Sequence, residues 1–103
     1  MSRIEKLNEF LQKNPDDNFV QHALALEYIK IGRDREARNL FEKILDRDPG
    51  YIGSYYHLGK LLEQLGEKDL AIQWYVKGMN AAKAAVDSHA YSELLGAFED
   101  LTE

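Results

Sequence analysis

With 103 residues the chain suits one domain, long enough to fold but with little core to spare for a deep catalytic pocket. Apolar residues make up 45% and charged residues 30%, which excludes a disordered polymer. The absence of cysteine excludes a disulfide framework, a thiolate zinc site and a cysteine nucleophile. The net charge of −5 has the opposite sign to that of a general nucleic-acid binder.

The elements follow in chain order. Ser2-Arg3-Ile4-Glu5 is a capping box, and Ile4, Leu7, Phe10 and Leu11 share one stripe, which predicts a helix over 2–13 that stops before Pro15. This N-terminus has mixed charge and no apolar h-region, so no signal peptide is expected. From Asn18 to Ile31, Phe19, Ala23, Leu24, Leu26, Tyr28 and Ile31 recur at helical spacing. Gly32 then supplies the residue without Cβ that a left-handed helix end favours. Asp34 opens the next helix, with Ala37, Leu40, Phe41, Ile44 and Leu45 on one face, and Asp48-Pro49-Gly50 ends it. Ile52 to Leu65, a turn at Gly66, and Lys68 to about Ala85 repeat the plan. A last helix begins near Ser88, capped by Asp87 or Ser88, with Tyr91, Leu94, Leu95, Phe98 and Leu101 along one stripe.

The two middle units are related by a fixed offset of 34 residues. Pro15 falls on Pro49, Leu24 on Leu58, Ala25 on Gly59, Tyr28 on Leu62, Gly32 on Gly66, Ala37 on Ala71 and Phe41 on Tyr75. Small residues at 25, 37, 59 and 71 are expected where helices cross closely, with the large ones filling the remaining space. The leading helix then reads as the second half of a truncated repeat, and the last as a cap on the exposed end of the array. Residues 1–83 hold equal numbers of acids and bases, so the whole net charge sits on Asp87, Glu93, Glu99, Asp100 and Glu103, as a solubilising cap would have it.

These residues resemble the tetratricopeptide repeat (TPR) family. Its pattern of a large residue, Leu-Gly, Tyr, a turn Gly, Ala, an aromatic and a closing Pro is met by Tyr55, Leu58-Gly59, Gly66, Ala71 and Tyr75. The first unit meets it with Leu24-Ala25, Tyr28, Gly32, Ala37, Phe41 and Pro49. Lys83 departs from the pattern where the second closing proline would stand, and the helix runs on. The resemblance implies an all-α, right-handed superhelix of helix pairs forming one domain: a leading helix over 2–13, repeats over 18–50 and 52–85, and a cap over 88–103. It also implies that the first helix of each pair lines a concave groove for a peptide or partner protein. On that geometry the groove residues are Phe19, His22, Ala23, Leu26, Ile29 and Lys30 in the first unit, and Gly53, Tyr56, His57, Lys60, Glu63 and Gln64 in the second. Family members that clamp a terminal carboxylate use asparagines where Leu26 and His57 stand here, so that signature is not met.

The expected function is therefore protein–protein interaction without catalysis, cofactor or metal; the alternative is self-association through the array ends, where Phe10 and Leu11 offer an apolar face. His22 and His57 lack the further ligands that zinc needs. No phosphate loop or G-x-S-x-G context is present, and the basic cluster Lys30, Arg33, Arg35 and Arg38 is diluted by Asp34 and Glu36. No nucleic acid or membrane partner is expected, and the expected location is the cytoplasm.

Overall fold

The computed structural model describes residues 2–103 and is all helical. Its elements are α1 (Arg3–Lys13), α2 (Asn18–Lys30), α3 (Asp34–Arg47), α4 (Gly53–Gln64), α5 (Lys68–Ala84) and α6 (Ser88–Thr102). No helix among the described residues is long and apolar enough to cross a membrane. The chain divides into two compact units, one holding α1 to α3 up to Arg47 and the other spanning Asp48–Glu103.

In the first unit α1 packs on α2 and α2 on α3. Ser2 caps α1 by accepting from the Glu5 amide at 3.2 Å, and Asp17 caps α2 by accepting from the Val20 amide at 2.9 Å, which satisfies amides that a helix start leaves open. Leu24, Ala25, Ala37, Phe41, Ile44 and Leu45 form the core. The one buried polar side chain here among the described residues, Gln21, donates to the Pro15 carbonyl at 2.8 Å and accepts from the Arg47 guanidinium at 2.9 Å. Arg47 also reaches Asn18 and Asp16, so the end of α3 is tied to the loop that opens α2.

In the second unit α5 packs on both α4 and α6, and α4 also touches α6. Two glycines allow this. A Cβ at Gly59 of α4 would sit 2.1 Å from Cε1 of Tyr75, so the aromatic ring occupies the space a side chain would need. A Cβ at Gly78 of α5 would meet Cβ of Tyr55 at 2.7 Å and Cδ1 of Leu94 at 3.0 Å, so this one position admits both neighbouring helices. Tyr75, Leu58, Leu61, Leu62 and Leu94 are all essentially inaccessible.

Three helix ends share one hydrogen-bond pattern. Arg33 donates to the Tyr28 carbonyl and Gly32 to that of Ile29; Glu67 donates to Leu62 and Gly66 to Glu63; Asp87 donates to Ala82 and Val86 to Lys83. Each is a Schellman closure, which places its penultimate donor in the left-handed region. Gly32 and Gly66 adopt φ +79° there without penalty. At the end of α5 the position is held by Val86, at φ +55°, a residue 89% exposed. A β-branched residue in this conformation crowds its own carbonyl and is a genuine outlier.

Two stability outcomes follow from this packing. Gly59→Ala is expected to cost about 1–3 kcal/mol, because the flank of a packed ring cannot give way as a flexible chain end can; a thermal melt indistinguishable from wild type would refute the close crossing. Val86→Gly is expected to raise stability by roughly 0.5–1 kcal/mol, the relieved strain exceeding the added unfolded-state entropy; equilibrium denaturation reads the sign directly.

Candidate functional site

The residues expected to line a binding face lie on α2 and α4, one helix in each unit. On α2, Phe19 is 74% exposed and Lys30 is exposed, while His22, Ala23, Leu26 and Ile29 are half-buried. The His22 ring meets the buried Phe41 edge-on, with centroids 5.5 Å apart. Lys30 Nζ donates to Glu27 Oε2 at 2.9 Å, and Arg3 of α1 lies 3.7 Å from the same oxygen. The Lys30 hydrogen bond holds the Glu27 carboxyl below its ordinary pKa; desolvation works against it, and the charges of Lys30 and Arg3 add to it.

On α4, Tyr56, His57, Lys60 and Glu63 are all half-buried. Tyr56 and His57 meet edge-on at 5.8 Å, and Lys60 Nζ lies 5.7 Å from the Tyr56 ring centroid. Lys60 also pairs with Glu63 at 3.7 Å. From beneath, the buried Tyr75 hydroxyl of α5 donates to Glu63 Oε2. Burial raises the Tyr75 pKa, and the Glu63 hydrogen bond and charge raise it further, so the phenol stays protonated. Burial lowers the pKa of His57, with the Glu93 carboxylate of α6 opposing in part.

The 34-residue offset aligns the two faces residue by residue in sequence. Tyr56, His57, Lys60 and Glu63 correspond to His22, Ala23, Leu26 and Ile29. Beneath them Tyr75 corresponds to Phe41. The hydroxyl and the carboxylate it supports thus occur together in one unit, and phenyl and isoleucine stand in their places in the other. Reading Tyr75 as a core filler missed its hydroxyl; the joint change at 29/63 and 41/75 was the available signal. Lys30 and Lys60 are each held by a glutamate one turn away on their own helix.

The other expected features resolve locally. Arg33 stacks on Tyr28 at 4.9 Å and pairs with Glu36, and Arg38 pairs with Glu42 at 3.5 Å, so these arginines are engaged within their own unit. Among the described residues no three His, Asp or Glu side chains come together as a metal site.

A family model for the tetratricopeptide repeat matches residues 1–82. The solution structure of a tetratricopeptide repeat domain protein from Salinibacter ruber is 40% identical, covers 84% of this chain and 88% of its own, and superposes with a TM-score of 0.81. A TPR repeat-containing protein of Pseudomonas aeruginosa is 26% identical over 91 residues, 88% of this chain and 87% of that protein. The TPR2B domain of yeast Sti1, solved as a complex with pHsp70, is 15% identical and shares the fold, with a TM-score of 0.72 over 91% of this chain and 81% of that one. With the helix pairs α2–α3 and α4–α5 related by a 34-residue period and this match over most of its length, the chain belongs to the tetratricopeptide repeat family.

Proposed function

We propose that the chain is a non-catalytic binding module that takes a peptide or a segment of a partner protein on the outer faces of α2 and α4. The observation that carries this reading is the chain of contacts Tyr75–Glu63–Lys60–Tyr56, in which a core hydroxyl fixes a carboxylate at the surface, and that carboxylate in turn fixes a lysine beside an aromatic ring. Polar groups fixed before a ligand arrives lose little side-chain entropy on binding. The α2 face adds an apolar counterpart in Phe19, Leu26 and Ile29, and exposed aromatic groups are favoured binding anchors. The TPR2B domain of yeast Sti1, which shares the fold, was solved as a complex with pHsp70, and a binding role for this chain is in keeping with that.

The α2 face suits an apolar ligand segment, and the α4 face a polar, hydrogen-bonding one. A terminal carboxylate is a poor candidate, because Lys60 is already engaged by Glu63. The test is capture of partners from the native cell, repeated with the double variant Leu26→Ala, Tyr56→Ala. Loss of the captured partner with an unchanged helical spectrum is expected; a folded double variant that keeps every partner would overturn the reading.

Two further outcomes probe the α4 face. Tyr75→Phe keeps the ring over Gly59 but removes the donor to Glu63, and is expected to cost about 1–3 kcal/mol in stability, read by denaturant titration. His57 has a folded-state pKa below its ordinary value, so the unfolded chain takes up a proton first as pH falls. Stability is expected to decline from about pH 6.5 down through the folded-state pKa and then level, as far as His57 is concerned. Replacing His57 with Asn should flatten that part of the profile, measured as melting temperature against pH.

A further inference from the structure

The helices α1 and α6 each carry a face that is covered at corresponding positions elsewhere in the chain. Shifted by 36 residues, Tyr55, Leu58 and Leu62 of α4 fall on Tyr91, Leu94 and Phe98 of α6, and Gly59 falls on Leu95. In α4 the residues Tyr55, Gly59 and Leu62 are all buried, with α5 lying over Tyr55 and Gly59. In α6 the matching Tyr91, Leu95 and Phe98 remain half-exposed. At the start of this face Ala82, Val86, Tyr91 and Ser92 help to line a largely apolar hollow of about 260 Å³. α6 therefore has the pattern of the first helix of a pair.

α1 has the pattern of a second helix. At the offset of 34, Leu7, Phe10 and Leu11 fall on Phe41, Ile44 and Leu45 of α3, which are buried. In α1, Leu7 and Leu11 are half-buried and Phe10 is 46% exposed, beside Lys6, Glu9 and Lys13. The sizes also change in concert. Where a glycine in α4 admits the Tyr75 ring, α6 offers Leu95; where α3 and α5 carry a ring at that register, α1 carries Leu7.

We propose that α6 of one copy pairs with α1 of a second copy, completing a helix pair between molecules. Charge selects this occupant. α6 carries Glu93, Glu99 and Asp100 with no Lys or Arg, so two α6 faces brought together repel, whereas α1 presents Arg3, Lys6 and Lys13 against Glu5 and Glu9. The contact is head to tail, using a different patch on each partner. It does not rest on the α2 and α4 faces and leaves them to their own ligand.

Sedimentation velocity over a concentration series tests it, using Phe10→Glu and Leu95→Glu. Wild type is expected to gain mass with concentration, and each variant to weaken association roughly tenfold while keeping its helical spectrum. An equimolar mixture of the two variants is expected to form dimers and nothing larger, because the intact α6 of one meets the intact α1 of the other. A second readout covers any failure of Leu95→Glu to fold. The chain has no cysteine, so copies carrying Phe10→Cys and copies carrying Leu95→Cys should cross-link to each other under oxidation in preference to themselves. A wild type that stays monomeric at its solubility limit overturns the proposal and assigns the face to another protein's helix. Association that survives Phe10→Glu, or variants that do not complement one another, overturns it in favour of a symmetric contact.

Discussion

The Tyr75 ring seated on Gly59 is the contact from which the second unit is built. It brings α4 and α5 into close approach, and that approach sets where Gly78 falls, between Tyr55 and Leu94. α6 is thus positioned by a glycine on the same helix that the first glycine admits. Interiors packed to crystal-like density pass such constraints along, because no slack remains to absorb a displaced ring. The same ring carries a hydroxyl that holds Glu63, one turn along α4 from Gly59. One side chain therefore determines both the spacing of two helices and the orientation of a surface carboxylate.

The two units solve a similar packing problem with different margins. In the first, the small residue is Ala25 and the ring is Phe41, with no hydroxyl to satisfy, and the polar work falls to Gln21 and Arg47 at the far end of the helices. In the second, the polar contact lies within the candidate binding face. The charge is divided in the same way: the first unit has as many bases as acids, and the second carries the whole net charge of −5. A ligand approaching the second unit meets an attractive field if it is basic, and the rate of encounter should fall with added salt.

Much of the fold was legible because a helix pair writes itself into sequence through backbone needs. Gly32 and Gly66 stand where φ is +79°, Asp17 and Asp87 stand where amides lack partners, and Ala37 and Ala71 are wholly buried at helix crossings. Gly78 was less legible, since a lone glycine inside an apolar helix has no local signature and its reason lies on two other helices. Of the candidate face, the sequence carried the residue types and their helical spacing. It did not give the partners, because Lys30 and Lys60 had first to be set beside Glu27 and Glu63 by side-chain geometry that spacing permits but does not require.

Val86 has a consequence beyond its own torsion angle. A turn that opposes its own backbone preference lowers the work needed to peel away the helix that follows it, and α6 is held otherwise by Leu94, Ala97 and flanking half-buried groups. The molecule is thereby given a graded opening order: amides of α6 should exchange with solvent ahead of those in α4 and α5, as a separate cooperative segment. Such a segment can detach and re-dock while the helix pair α4–α5 stays intact, which turns α6 into a clasp with its own equilibrium constant.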